Sequence, residues 1–531
     1  MQACVAQFPA SAQPRPGPVQ SVPHRGPAVL QGPPTRRVPA GEAAAPDGRA
    51  VPGPRMLTRH TITYVGSRGV AALLNLVSVA AFTRLAPVES YGTYLYIFSW
   101  GLVLYGATCQ WPKFAFFALY DEKRGPGQVD TVVRMLGLAL LATALLAGLA
   151  VAAGLVEGRM ALAVVAATTG MTLFEGATEI ARTRLAALPV GIAVLVRAVL
   201  VLTLGSLSLW LTRDPVWLAL AVASANVIAS LPPARVVWPM LDGHASLAEA
   251  RRLLAYGWPL VFSFGIAALA QVLDRLVVGK SLGPGELGAY GAIADFLKQS
   301  FLVFGESIAL SMISIAKRDA RAGDAAASAG VLEEAARTLT LIAAFGTAFF
   351  LSFDDVVVAI LLGPDYRAQA LVLAPVLIAA SVTMMFRAYY FGQVIYFTRT
   401  SHLDAIASLV MLVTVGGLSL VLIPRSGVYG AALAFAVGQL AGCLTFVLGS
   451  RFGPGGSRGP MPFPAADIAA IVAWTLLCAG VVAAIGHLPD GHSPLARGVQ
   501  FLVLVAGFLA AVWRLDLAGI PAAIRGIRRP A

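Results

Sequence analysis

Long apolar runs recur along almost the whole chain, and each is long enough to cross a bilayer. Stretches of about 20 residues, the length that spans roughly 30 Å of hydrocarbon at 1.5 Å per residue, fall near 61–82, 91–111, 132–153, 160–180, 189–211, 215–237, 253–279, 288–314, 338–362, 369–398, 403–423, 427–450, 467–487 and 497–513. They predict fourteen helices. The fourth and ninth are the least sharply bounded, because Glu175 and Glu179, or Asp354 and Asp355, stand near their ends. Of the 531 residues 58% are hydrophobic and 12% charged, against about 25% charged in an ordinary soluble domain. With a mean hydropathy of +0.76, lipid is the solvent for most of the chain. A β-barrel, built from short alternating segments, is excluded. The reading is an all-α polytopic membrane protein.

Residues 1–55 differ from the rest. They hold 12 of the 33 prolines and no apolar run of helical length, a composition that predicts a disordered cytoplasmic tail without the apolar core of a signal peptide. The same composition fits a segment upstream of a true start at Met56. The net charge of +12 invites a nucleic-acid reading, but its distribution answers to the membrane. With the N-terminus inside, segments predicted to be cytoplasmic hold 27 Lys and Arg and outer segments hold 8, as expected where basic loops stay inside. The bias supports an even number of spans with both termini cytoplasmic. Cys4, Cys109, Cys443 and Cys478 show no metal-ligand or CxxC spacing and read as small core residues. No metal or cofactor is expected.

An internal repeat organises the spans. Leu85, Pro87, Glu89, Gly92 and Tyr94 follow the first helix, and Leu282, Pro284, Glu286, Gly288 and Tyr290 follow the seventh in the same order with one residue of slippage. Both blocks occupy the outer turn between the first and second helices of a six-helix set. Six intervening helices give the two sets one orientation, so the duplication is parallel about an axis along the membrane normal. The expected division is a tail (1–55), an N-terminal lobe (56–240), a C-terminal lobe (241–452), and two further helices with a basic tail (453–531).

These motifs resemble those of the polysaccharide (O-antigen, Wzx-type) flippases of the multidrug/oligosaccharidyl-lipid/polysaccharide exporter superfamily. The resemblance is carried by FTRLAPVESYGTYLYIFSW, by YGWPLVFSFGIAALAQVLDRLVVGKSLGPGELGAYGAIADF, by LLGPDYRAQA (Leu361 to Ala370) and by LIPRSGVYGAALA (Leu422 to Ala434). It covers about residues 57–450, and the last two helices match in number only. It implies two six-helix lobes around a central cavity that opens alternately to either side, two extra helices outside them, and undecaprenyl-diphosphate-linked oligosaccharide as cargo.

A diphosphate crossing the membrane calls for cations in a hydrated cavity. Arg68 and Arg197 lie about eight residues into the first and fifth helices, Lys298 near the middle of the eighth, and Arg387 about two-thirds across the tenth. A cation at a helix centre costs about 2.5–3.5 kcal/mol on the insertion scale, so facing lipid is disfavoured, and each is a candidate anion ligand or one member of a structural ion pair. On the eighth helix Asp295, Lys298, Gln299, Leu302 and Glu306 recur at spacings of three and four, which predicts one polar face. Asp295 and Lys298 either neutralise each other or, with Glu306, line the cavity, the acids then exchanging a proton or sodium ion. Asp274 is a third candidate acid, or a boundary pair with its neighbour Arg275. Tyr389, Tyr390 and Gln393, close to Arg387, are candidate sugar contacts or an interfacial belt. Pro259, Pro375 and Pro424 mark bends, hinges or helix ends.

Other functions fit less well. Fourteen helices leave short loops without room for a soluble catalytic domain, and there is no HExxH, GxSxG or P-loop, so a catalytic role and direct use of ATP are not expected. A multidrug/cation antiporter of the same superfamily is expected to carry acids in its N-terminal lobe, where this first helix carries Arg68. A peptidoglycan-precursor flippase shares the diphosphate lipid and stays open as an alternative. Expected partners are the lipid-linked oligosaccharide, membrane lipids, and a polysaccharide polymerase and glycosyltransferases of the same pathway. No nucleic-acid partner and a monomer are expected.

Overall fold

The computed structural model describes residues 54–121, 125–184, 186–241, 243–398, 402–452 and 461–515, without 490 and 492 in the last segment. The expected tail, with Cys4, lies outside these residues apart from its last two positions.

Among the described residues the chain is helical and has no strand, as a chain must be when hydrocarbon offers its backbone no partners. α1 (Pro54–Leu85), α2 (Val88–Leu104), α3 (Gln110–Leu119), α4 (Gly125–Ala152), α5 (Gly158–Thr183), α6 (Ala187–Thr212), α7 (Pro215–Ala229) and α8 (Leu231–Val237) precede α9 (Leu247–Ser281) and α10 (Pro284–Ile308). Then come α11 (Ser314–Arg321), α12 (Ala325–Ser352), α13 (Asp354–Leu361), α14 (Pro364–Tyr389), α15 (Ile395–Thr398), α16 (His402–Phe452), α17 (Ala465–Gly486) and α18 (Pro494–Arg514). Eleven helices are long and apolar enough to cross a membrane, or twelve if the bent pair α7–α8 is one span. The chain is a multi-pass α-helical membrane protein, and the expected number of fourteen is not what this test returns. Two features account for the difference. α16 has 51 residues, about 77 Å of helix, and is two helices joined across a kink at Gly427 (φ 57, ψ −139). α2 and α3 form one rod through a π-helical turn, Tyr105–Cys109, whose Tyr, Trp, Lys and Gln side chains dilute its hydropathy.

Other boundaries also move. The predicted ninth span, 338–362, begins instead at Ala325 and ends at Ser352. Its charged first turns hold together by helical pairs from Arg337 to Glu333 and Glu334, and Asp354 and Asp355 open a separate short helix. Lys113, beyond the predicted end of the second span at 111 and so expected on a loop, and Arg275, near the outer end of the seventh, lie within helices with side chains 2% and 5–6% exposed. Pro259 and Pro375 lie inside α9 and α14, and Pro424 stands three residues before the Gly427 kink. Cys109, Cys443 and Cys478 are free and buried. Between α6 and α7, Asp214 accepts the Val216 N–H at 2.8 Å and pairs with Arg159 at 2.8 Å. Burial pushes its carboxyl up, but these hydrogen bonds outweigh it and hold it below the usual range.

The helices α1, α5, α6 and α7 pack on one another, as do α9, α10, α14 and α16. The two sets meet through α2 and α3 against α9, α2 against α10, and α1 against α10. The repeated turns of the sequence are the tightest point of this meeting. A Cβ at Gly92 would lie 1.7 Å from the Pro284 carbonyl oxygen, and one at Gly288 would lie 2.1 Å from that of Val88. The contact is reciprocal, since each glycine sits on the residue four before the other. The third motif, at the start of α14, closes on the same end: Gly363 lies against the Thr83 carbonyl, and the Tyr366 hydroxyl donates to the Ala86 carbonyl at 3.1 Å. α17 and α18 pack on α12 through a cluster including Phe345, Cys478 and Leu504. They are tied by Arg337 to Asp467 at 2.6 Å and Arg497 to Asp355 at 2.7 Å.

Small residues let helix backbones approach where lipid supplies no hydrophobic drive between helices. Gly92→Ala and Gly288→Ala are therefore expected to destabilise the folded protein by about 1–3 kcal/mol through overpacking, read as a lower thermal-unfolding midpoint in nanodiscs. Gly417→Ala, whose Cβ meets nothing within 4 Å, is the control and is expected to be neutral or stabilising.

Candidate functional site: a cavity between the two helix sets

Apolar helices place few polar side chains at depth, so those that converge are conspicuous. A cavity between α1, α6 and α10 is lined by Arg68, Asn75, Arg197, Gln299, Glu306 and Ser307 beside small and aliphatic groups. Water-sized molecules have about 40 Å³ there, room for a few waters and none for an oligosaccharide. Arg68 on α1 forms an ion pair with Glu306 on α10, both side chains largely buried at 15% and 17% exposure. Glu306 lies 18 residues after Gly288 on α10, about 27 Å along that helix from the glycine contact. The two sets are thus held by backbone packing at one end and by an ion pair far from it. Among the described residues no carboxylate lies within 4 Å of Arg197, and its guanidinium lies 4.6 Å from the centre of the Phe174 ring.

The cavity gathers Arg68, Arg197, Gln299 and Glu306, and it does not gather the rest. The predicted polar stripe of α10 divides between two neighbours, since a stripe about 100° wide is broad enough to face both. Gln299 and Glu306 face the cavity, while Lys298 turns to α16, where its ammonium lies 3.9 Å from the centre of the Phe435 ring. Asp295 is not paired with Lys298. It takes both terminal nitrogens of Arg275, one of them at 3.2 Å. Asp274 does not pair with the adjacent Arg275 either, because successive helical residues point about 100° apart. It is fully buried and accepts the Tyr290 hydroxyl at 2.5 Å. Tyr290 belongs to the sequence repeat, so this acid is tied to the closed end of the bundle.

Arg387 donates its Nε to Gln439 Oε1 at 2.8 Å. The neighbouring polar groups are used locally. The Tyr390 hydroxyl donates to the Pro462 carbonyl, and the Gln393 amide donates to the Ala388 carbonyl at 2.9 Å. Tyr389 is 4% exposed and packs where a Cβ on Gly305 would stand. None of these three lines the cavity.

Two buried polar elements were missed from sequence. Lys113, expected on a loop, pairs with Glu175 at 3.3 Å and lies 5.3 Å from the centre of the Tyr105 ring. Glu179 pairs with Arg182 at 2.9 Å. The π turn carries the chain past the predicted span end, and the run Phe114 to Leu119 beyond Lys113 was the signal that the helix continues. Gln439 gave no signal, as one amide in an apolar run. Among the described residues no group of three His, Cys, Asp or Glu side chains is placed to hold a metal.

Residues 178–371 match the family described as a polysaccharide biosynthesis protein. No curated protein matches the chain by sequence. Among solved structures, the lipid II flippase MurJ in an inward closed conformation superposes with a TM-score of 0.67 at 13% identity, covering 86% of this chain and 99% of that one. An inward-facing multidrug resistance MATE family transporter of the MOP superfamily gives 0.55 at 13% identity, covering 77% and 98%. The fold is the one these two proteins share.

Removing one member of a buried ion pair strands the other, at about 3–5 kcal/mol. Lys113→Met and Glu175→Leu are each expected to lower the unfolding midpoint strongly. The double variant is expected to recover most of the loss, and a double-mutant cycle by thermal unfolding measures the coupling.

Proposed function

We propose that this member of the MOP fold is a flippase for undecaprenyl-diphosphate-linked oligosaccharide in the bacterial cytoplasmic membrane, serving surface polysaccharide (O-antigen, capsule or exopolysaccharide) assembly. The observation that carries the reading is the convergence of Arg68 and Arg197 on one cavity between the two helix sets. Two guanidiniums in a largely dehydrated space suit a diphosphate, because charge-assisted, bidentate contacts strengthen as water is excluded. The match to a polysaccharide biosynthesis family and the fold of a lipid II flippase support the same class of cargo.

In the proposed cycle the helix sets act as two lobes, residues 56–240 and 241–452, that rock against each other and open the cavity alternately to either side. In the closed arrangement Glu306 neutralises Arg68. Cargo phosphate takes over that role when the α1–α10 contact opens, so Arg68 always has an anion and the exchange avoids stranding a charge. Arg197 supplies the second positive group. The isoprenoid chain stays in lipid while the head group crosses between the lobes. Binding orients and shields the head group and no bond is broken, so the protein acts as a transporter and not an enzyme. Lys298 and Arg387 form a further pair of cations in the second lobe, and Asp274, Asp295 and Glu306 are the acids available for coupling to an ion. Both termini are placed in the cytoplasm. The chain works as a monomer beside the polymerase and glycosyltransferases of its pathway.

A second reading has its own support: the superposition with the lipid II flippase favours a peptidoglycan precursor, which carries the same diphosphate. In a strain lacking this gene, plasmid-borne Arg68→Ala or Arg197→Ala is expected to reduce surface polysaccharide more than about tenfold at unchanged protein level, the effect of losing a charge-assisted contact of ~1.5–3 kcal/mol. Normal export by both variants sinks the cavity assignment. Normal glycan in the deletion strain, with rescue of a cell depleted of its lipid II flippase, moves the cargo to the peptidoglycan precursor. Raised resistance to cationic dyes with unaltered glycan instead supports drug export.

A further inference from the structure

Arg387 and Gln439 make a polar site that stands apart from the cavity and is incomplete as it stands. A guanidinium has only donors, so the 2.8 Å contact from Arg387 Nε fixes the amide with Oε1 toward the arginine. The other end of that amide, Nε2, is buried without a hydrogen-bond partner in a side chain that is 0% exposed. An unmet donor at that depth costs about 1–3 kcal/mol, and its neighbour has no carboxylate to offer: among the described residues none lies within 4 Å of Arg387. On the other side the arginine stem passes Gly442, where a Cβ would come within 3.0 Å of Cδ, so α16 both admits and orients it. The two terminal guanidinium nitrogens of Arg387 and the Nε2 of Gln439 are donors only, on side chains joined to each other, and the buried Nε2 has no acceptor among the described residues.

We infer that Arg387 and Gln439 form a second oxyanion site, and that it receives a carboxylate on the sugar portion of the cargo, so that the oligosaccharide carried is acidic. The inference rests on the flippase reading, which assigns the diphosphate to Arg68 and Arg197. Arg387 does not line that cavity, so one diphosphate does not account for both places. A uronate carboxylate matches the donor set, with two coplanar oxygens for the guanidinium fork and a remaining lone pair for the amide. Gln439 is then a positioning residue for Arg387 as well as a ligand. Gln439→Glu tests both roles, because it supplies a resident carboxylate that neutralises Arg387 and repels an incoming one.

The experiment uses the full chain in neutral-lipid nanodiscs and reads the thermal-unfolding midpoint with sodium glucuronate, sodium pyrophosphate or sodium chloride of equal ionic strength. Glucuronate is expected to stabilise the wild type and the Arg68→Ala, Arg197→Ala double variant alike, and to lose its effect in Gln439→Glu. Pyrophosphate is expected to stabilise the wild type and Gln439→Glu but not the double variant. Arg387→Lys, which keeps the charge and loses the fork, serves where Gln439→Glu does not fold, and is expected to weaken the glucuronate shift selectively. The inference is overturned if glucuronate gives no more shift than chloride, if its shift survives both Gln439→Glu and Arg387→Lys, or if pyrophosphate is lost with glucuronate in those variants, which makes the site one for phosphate. A pyrophosphate shift that persists in the double variant while glucuronate behaves as expected removes the first-cavity assignment and leaves this site standing.

Discussion

A charge in hydrocarbon must find an opposite charge, a polar neighbour or water, and this requirement organises the interior of the protein. Arg68 is held by Glu306, Lys113 by Glu175, and Arg275 by Asp295. In each case the partner comes from a different helix. Each pair therefore fixes the relation of two helices as well as neutralising a charge, in a medium where apolar side chains gain little from leaving lipid. Such pairs are poor sources of net stability, since desolvation offsets most of the attraction. Their effect lies in what happens when one partner moves and leaves the other stranded.

The contacts between the helix sets differ in kind at two depths. At one end the backbones of α2 and α10 touch through Gly92 and Gly288, with no side chain between them. About 27 Å away along α10, the sets are joined by Arg68 and Glu306 across a cavity with space for only a few waters. Backbone packing is short-ranged and is lost within a fraction of an ångström. An ion pair can be exchanged for another of like charge. In the proposed cycle a diphosphate that enters beside Glu306 offers Arg68 the same kind of partner, so opening at that depth need not leave a cation without an anion. The glycine contact has no such substitute and must be broken outright, which makes it the firmer of the two seals.

The all-helical membrane fold, the approximate position of most spans and the duplicated turn were legible in the sequence, because each depends on local composition and order. The turn glycines could be seen to repeat, but not to touch: Gly92 and Gly288 are 196 residues apart, and only the assembled bundle brings each onto the carbonyl before the other. Arg68, Arg197, Gln299 and Glu306 were all named as candidates from depth or periodicity, yet their convergence depends on how α1, α6 and α10 cross. The errors share a cause. Lys113 was placed on a loop because a charge ends an apolar run in sequence, whereas in the fold a π turn carries the helix onward and Glu175 receives the lysine. Of the two readings open for Asp295, pairing with Lys298 rests on its being the nearest cation along the helix. Arg275, from α9, reaches it with two hydrogen bonds where a lysine offers a point charge.

The four cations singled out by depth differ in what holds them, and the difference bears on what each can do for a moving anion. Arg68 has a resident carboxylate, so an incoming anion gains only the difference between two pairings. Arg197 and Lys298 rest on aromatic rings, whose attraction to a cation, about 0.5–2 kcal/mol, is weaker than a desolvated ion pair and easily given up. Arg387 has an amide, whose free end is itself a donor in need of an acceptor. An anion at Arg68 must compete, one at Arg197 or Lys298 displaces a weak partner, and one at Arg387 meets a buried Gln439 Nε2 that has no acceptor among the described residues. A transporter needs sites that bind and also release. In the proposed cycle a graded set of this kind provides both, since a head group at Arg68 gains only the difference between its own pairing and that of the Glu306 that returns to it.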